Sequence, residues 1–144
     1  MPVGAGAVGY ELTMDEPDIA HRRPEGLDDR TVEALGRLSE ALETIERVRG
    51  HVYAVHQLTG HADLMLDDVV DGLRAAGHED AAALVETELV GRDVLPGRWT
   101  YQIVEEYDDG YYAAFRAVEK RLRDELAGGR RHIYEAEMRA RRQR

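Results

Sequence analysis

One short run of polar residues is the part of this sequence most able to do chemistry. Four of them recur at spacings of three and four: Glu46, Arg49, Tyr53 and His56. Such spacing places side chains along one side of a helix. Arg49 and His56 also continue an apolar stripe that passes through Leu42. A buried or half-buried arginine or histidine needs polar partners, so we expect a polar interior here.

A hydrogen-bonded network is the first chemistry open to this run. Arg49 then pairs with Glu46 or Glu88, because an unpaired guanidinium inside a protein is strongly destabilising. His56 donates to Asp63 or to a tyrosine. In this interpretation the polar residues stabilise the fold and bind nothing.

A metal site is the second alternative. Its ligands are His56, Asp63 and Glu88, residue types that suit a divalent ion such as Zn, Mn or Fe. The permanent charge of Arg49 opposes a cation. The sequence contains no Glu-x-x-His, the motif that di-iron bundles carry on two helices. The chain therefore resembles ferritin-like bundles in architecture only, which leaves a mononuclear or atypical site.

A pocket for a small anion is the third alternative. Arg49 supplies a planar fork of donors that suits a carboxylate or phosphate. The other residues of this ligand-binding set, which form its walls, are Tyr53, His56, Tyr107 and Tyr111. The sequence leaves open whether such a site makes the protein an enzyme, and a serine triad is disfavoured because Ser39 is the only serine.

Apolar periodicity predicts the helices that must position these residues. The first begins after Asp28 as N-cap, with a hydrophobic staple between Leu27 and Val32, and ends at Thr59–Gly60. Further helices are predicted over 62–76, closed by Gly77, and over 80–90, 100–127 and 130–142. No long stretch alternates with a period of two, so no strand is predicted.

We therefore predict an all-α protein, an up-down four-helix bundle of two long and two short helices. The bundle domain covers 28–127, after a flexible N-terminal arm (1–27) and before a basic helical tail (128–144). In this topology helices 1 and 3 end where helices 2 and 4 begin, so the polar residues above meet at one end.

Composition limits the surroundings of the protein. The net charge is -10, although the tail holds six arginines against two glutamates, so the acidic body disfavours nucleic acid. There is no cysteine, no basic leader and no long uncharged apolar run, so we expect a cytoplasmic protein without a membrane partner. Only Lys120 among the 19 basic residues is a lysine, which is typical of a GC-rich bacterial genome.

A second apolar strip on helix 1 predicts a partner. Val48, Val52 and Val55 lie beyond the face that Leu42 sets, and Leu64 and Met65 leave the stripe of the next helix. Unless the arm or the tail covers them, they form an exposed patch. We expect a homodimer, with another protein partner as an alternative, and we therefore expect the protein to act in binding or interaction.

Overall fold

The described residues, 16–143 of a computed structural model, form helices and connecting turns without a strand, which confirms the all-α prediction. Residues 1–15, the larger part of the predicted arm, lie outside the described residues. A 3-10 turn, Ile19–His21, precedes five α-helices, and a π-helical segment, Asp108–Tyr112, joins the third to the fourth. The α-helices are α1 Asp29–Ala75, α2 Glu79–Glu88, α3 Tyr101–Tyr107, α4 Ala113–Ala127 and α5 Ile133–Arg142.

The predicted break at Thr59–Gly60 is wrong, because α1 passes through it without interruption and is 47 residues long. A glycine inside a helix costs only about 1 kcal/mol relative to alanine, and the good helix formers on both sides outweigh that cost. Residues 16–143 form two long and two short helical runs, but α1 combines the first two predicted helices, and α5 lies in the predicted tail instead of the predicted bundle domain. The long ones are α1 and the α3–π–α4 run, and the short ones are α2 and α5.

Two predicted helix ends, the start of the first predicted helix and the end of the second, lie at the two ends of α1. Asp28 Oδ1 accepts a hydrogen bond from the Thr31 amide at 2.8 Å, and Leu27 packs against Val32 as the staple requires. At the other end Gly77 has a φ of 84°, and the amide of His78 donates to the carbonyl of Leu73 at 2.8 Å. This is the glycine-closed C-terminus that the sequence predicts.

The described chain divides into two compact units. The first, the terminal unit, comprises the residues up to Ser39 and those from Lys120 onward. Its core is Val32, Ala127 and Ile133, with Leu27 and Leu35 packed against it. The start of α5 therefore belongs to an apolar core, which accounts for the ordered helix in the basic tail.

An arginine fastens residues 16–27 to α5 within the terminal unit. Arg23 donates through Nε and Nη2 to the two carboxylate oxygens of Glu137, each at 2.9 Å, and through Nη1 to Asp29 at 2.7 Å. Nη1 of Arg130 donates to the carbonyl of Arg22. This stretch of the predicted flexible arm is held by charge-assisted hydrogen bonds.

The second, the central unit, is Glu40–Glu119. It contains most of α1, all of α2 and α3, the π segment and the first half of α4. Its buried apolar residues are Val70, Ala82, Val104 and Tyr112. In the chain from 16 to 143, no helix is long and apolar enough to cross a membrane.

The π segment shifts the buried face of the second long run by one residue. A regular helix predicts Tyr111, Ala114 and Val118 on the inner side, yet Tyr111 and Val118 are more than half exposed. Tyr112 and Glu119 are buried instead. A π turn carries one extra residue, so every side chain after it moves one position around the helix. Apolar periodicity contains no signal for that insertion.

Candidate functional site

The polar residues of α1 meet the π segment in an ion pair. Arg49 donates through Nε to Asp108 Oδ1 at 2.9 Å and through Nη2 to Oδ2 at 3.2 Å. Both side chains are partly buried. Two parallel hydrogen bonds between a guanidinium and a carboxylate fix the orientation of both groups. The pair therefore ties α1 to the point where the second long run changes its helical geometry.

Two tyrosines complete the surroundings of Arg49. Its Cζ lies 4.5 Å from the ring centroid of Tyr112 and 5.4 Å from that of Tyr53. The Tyr112 hydroxyl donates to Glu46 Oε1 at 2.6 Å. A guanidinium between aromatic faces gains cation–π attraction on top of its ion pair. We call these five residues the Arg49 cluster: Glu46, Arg49, Tyr53, Asp108 and Tyr112.

The electrostatics of the Arg49 cluster follow from these contacts. Hydrogen bonds from Arg49 hold the pKa of Asp108 below its ordinary value, and the same bonds raise the pKa of Arg49. The bond to Glu46, together with burial, raises the pKa of Tyr112. Each shift stabilises the state already present at neutral pH. The cluster has the character of a hydrogen-bonded network whose charges are paired within the chain.

Two further residues of the predicted site carry buried polar atoms. His56 Nδ1 and the Tyr107 hydroxyl are buried without a hydrogen-bond partner. Burial raises the pKa of Tyr107, with further contributions from Tyr111 and Asp108. The ring of Tyr107 stacks on that of Tyr112 at 6.4 Å, whereas Tyr111 lies at the surface. The predicted lining residue Tyr111 is thus replaced at the buried position by its neighbour.

The predicted metal ligands are not brought together. Asp63 Oδ1 accepts from the amide of Gly91 at 2.8 Å, which ties α1 to the turn that follows α2. Glu88 is exposed and pairs with Arg92 at 3.5 Å. Among residues 16–143, no three His, Asp or Glu side chains are arranged to hold a metal ion. The set of His56, Asp63 and Glu88 is therefore not assembled, and Asp63 and Glu88 contact Gly91 and Arg92 instead.

The terminal unit has a small charged pocket of its own. His21 lies 2.7 Å from Asp18, and its ring centroid lies 6.3 Å from that of His132. Glu135 and Arg139 complete the polar lining. Acidic and basic side chains both line the pocket, so its electrostatic potential favours neither a cation nor an anion.

Arg49 has a polar partner, as its position in the apolar stripe predicts, but the predicted partners are wrong. The expected acids were Glu46 and Glu88, whereas the structure uses Asp108. A helical wheel sets Asp108 at the edge of its helix among four other acidic or aromatic residues, which is typical of a solvated face. The glycine at 110 within an acidic and aromatic run is the one available hint of an irregular turn.

The Arg49 cluster can hold two helical segments together, and its guanidinium fork is already occupied by a carboxylate of the same chain. An external anion must compete with Asp108 for the same donors, which weakens the prediction of an anion pocket. Comparisons with known proteins add no further guide, since no family model, no curated protein and no solved structure matches this chain.

Proposed function

We propose that the protein acts by binding, as a homodimer that forms through an exposed apolar face of α1. We further propose a cytoplasmic location, which suits a chain without cysteine. The occupied fork of Arg49 supports binding over catalysis in the central unit. The observation that carries the proposal is the number of large apolar side chains that α1 leaves exposed.

These side chains lie on one side of the helix. At 100° per residue, seven positions of α1 fall within an arc of about 100°. We call them the α1 seam, and all seven are exposed: Val48, His51, Val55, Leu58, Ala62, Met65 and Val69. Leu58 is 67% exposed and Met65 is 57% exposed, although both are residues that proteins normally bury.

The continuity of α1 creates this surface. Val48, Val55 and Leu58 precede Gly60, and Met65 and Val69 follow it. An end to the helix at Thr59–Gly60 separates the two groups, whereas the unbroken helix aligns them. Contiguous apolar surfaces of this kind mark sites of protein association. A second copy is the simplest occupant, because a symmetric dimer buries the same surface on both partners.

Two leucines of α1 provide a matched test. Leu58 belongs to the α1 seam, while Leu64 lies about 120° away around the helix and is just as exposed, at 69%. We expect the unmodified chain to have twice its monomer mass at micromolar concentration by size-exclusion chromatography with light scattering. We expect Leu58→Asp to be monomeric, because two carboxylates enter an apolar interface. Leu64→Asp remains a dimer.

A monomeric unmodified chain contradicts the proposal. A dimer that survives Leu58→Asp but not Leu64→Asp contradicts the choice of surface, because association then depends on the opposite side of α1. Circular dichroism shows whether each variant keeps its helices, and we expect equal helical content in both, since both residues are exposed in the monomer.

A further inference from the structure

The seven seam positions follow a coiled-coil repeat. Val48, Val55, Ala62 and Val69 are spaced by seven, and so are His51, Leu58 and Met65, offset from the first series by three. These are the a and d positions of a heptad, sustained over three repeats. Residues such as Arg49 and His56, which follow the a positions, are half-buried and contact the chain's own interior. The helix thus has a separate seam for a second helix.

We propose that the α1 helices of two copies pair antiparallel as a short coiled coil, with the two-fold axis between His56 and Gln57. This inference rests on the proposed homodimer and adds its orientation and register. In an antiparallel pair, a positions of one helix face d positions of the other. Val55 then meets Leu58 of the second copy, and the same layer is repeated on the other side of the axis.

The outer layers of this register are complementary in size. Val48 meets Met65 of the second copy, which joins a short side chain to a long flexible one. His51 meets Ala62 of the second copy, so the one polar residue of the seam faces its smallest apolar residue. Alternation of large and small residues across facing positions lets the layers interdigitate.

Charge selects this register among the antiparallel alternatives. Arg47 and Asp68 are exposed and flank the seam on the same side, in equivalent positions of the heptad. With the axis between 56 and 57, Arg47 of each copy faces Asp68 of the other, which gives two ion pairs. Sliding one helix by a heptad places Arg47 opposite Ala75 or His61 instead.

The same two charges disfavour parallel pairing. In a parallel coiled coil, the residue before an a position faces the residue after the next d position of the partner. Arg47 then lies beside Val52 of the second copy, and Asp68 lies beside Leu73 of the second copy. A charge next to an apolar side chain at an interface loses hydration and gains no partner.

Single-cysteine variants test the orientation directly, because the chain has no cysteine of its own. We prepare Val48→Cys and Met65→Cys with tags of different mass, mix them, allow the subunits to exchange and oxidise. The antiparallel register predicts a disulfide between the two variants in the mixture. Each variant alone gives none, because identical positions are about 25 Å apart along the paired helices. Leu64→Cys replaces Met65→Cys as the control and gives no link with Val48→Cys.

Three outcomes overturn the inference. A disulfide in Val48→Cys alone means parallel pairing. A dimer by light scattering that gives no link in the mixture means that the copies associate through another surface, which leaves the proposed homodimer intact. A monomer by light scattering removes both proposals together.

Discussion

Two sides of α1 within the central unit differ in whether the chain itself contacts their side chains. On one side, the polar residues Glu46 and Arg49 are paired with Tyr112 and Asp108 of the same chain. On another, the apolar residues of the α1 seam are exposed. Glu46 and Arg49 thus have partners within the chain, whereas the seam leaves large apolar side chains such as Leu58 and Met65 exposed. A charged residue within an apolar stripe can therefore be a fold-stabilising contact, and we propose that the apolar strip beside it is the surface that binds a second copy.

The largest expected difference is between two valines of α1. Val32 is 3% exposed in the core of the terminal unit, and Val55 is 46% exposed in the α1 seam. Val32→Asp buries an unpaired carboxylate, which we expect to lower the free energy of unfolding by on the order of 4 kcal/mol. Val55→Asp leaves that free energy within about 0.5 kcal/mol but abolishes the dimer. Urea denaturation and light scattering measure the two effects separately.

If Val32→Asp and Val55→Asp lower the free energy of unfolding equally, the expected difference between the two positions is wrong, because the chain itself then covers Val55. The denaturation is run at a concentration at which Val55→Asp and Leu58→Asp are both monomeric, so that dissociation does not contribute. Leu58→Asp then serves as the reference for the stability of the separated chain.

Alanine substitutions at two glycines of α1 are expected to change the free energy of unfolding in opposite directions, and by less than Val32→Asp. A Cβ added to Gly36 lies 2.9 Å from Cβ of Tyr134, whereas one added to Gly50 meets nothing within 4 Å. We expect Gly36→Ala to lower the free energy of unfolding by about 1 kcal/mol, because backbone-near atoms must move apart. Gly50→Ala raises it by about 0.5–1 kcal/mol through helix propensity. Thermal melts of the two variants measure the pair, and a gain from Gly36→Ala contradicts the close approach of α5.

The sequence was sufficient where local chemistry decides the structure. Asp28 as N-cap and Gly77 as helix end both followed from residue type and position, because caps satisfy backbone groups within a few residues. The structure has no helix end at Thr59–Gly60, because the residues on both sides continue the helix and outweigh the weak helix propensity of threonine and glycine. Local signals thus predict the helix ends that a specific hydrogen bond fixes. They also predict one end, at Thr59–Gly60, that the structure does not have.

The candidate site was less accessible to sequence reasoning. Arg49 was identified because a charge in an apolar stripe is visible in the sequence alone. Tyr112 is not predicted because the π segment adds one residue before it and so shifts its position around the helix. Asp108 is not predicted because it belongs to an acidic run that is typical of a solvated face. The crowding of apolar residues on one helix predicts an exposed strip at Val48, Val52 and Val55; Val48 and Val55 are exposed, whereas Val52 is half-buried.

Acid is expected to weaken the Arg49–Asp108 ion pair on the covered side of α1. Because Arg49 lowers the pKa of Asp108, the ion pair stabilises the fold fully above the ordinary aspartate value of 3.8. That stabilisation disappears as the pH falls from 3.8 through the lowered pKa of the folded state. We expect Asp108→Asn to melt a few degrees below the parent at pH 7, and this difference to vanish in strong acid.

The adjacent carboxylate makes this acid test specific. Asp109 is exposed, so Asp109→Asn changes the same charge one residue away without removing the contact to Arg49. Melting curves are recorded from pH 2 to 7 in the monomeric Leu58→Asp background, which keeps dimerisation out of the comparison. If Asp108→Asn and Asp109→Asn give the same pH profile, the ion pair contributes nothing to the fold. The covered side of α1 then depends on Tyr112 and its bond to Glu46 alone, and Tyr112→Phe becomes the variant with the larger loss.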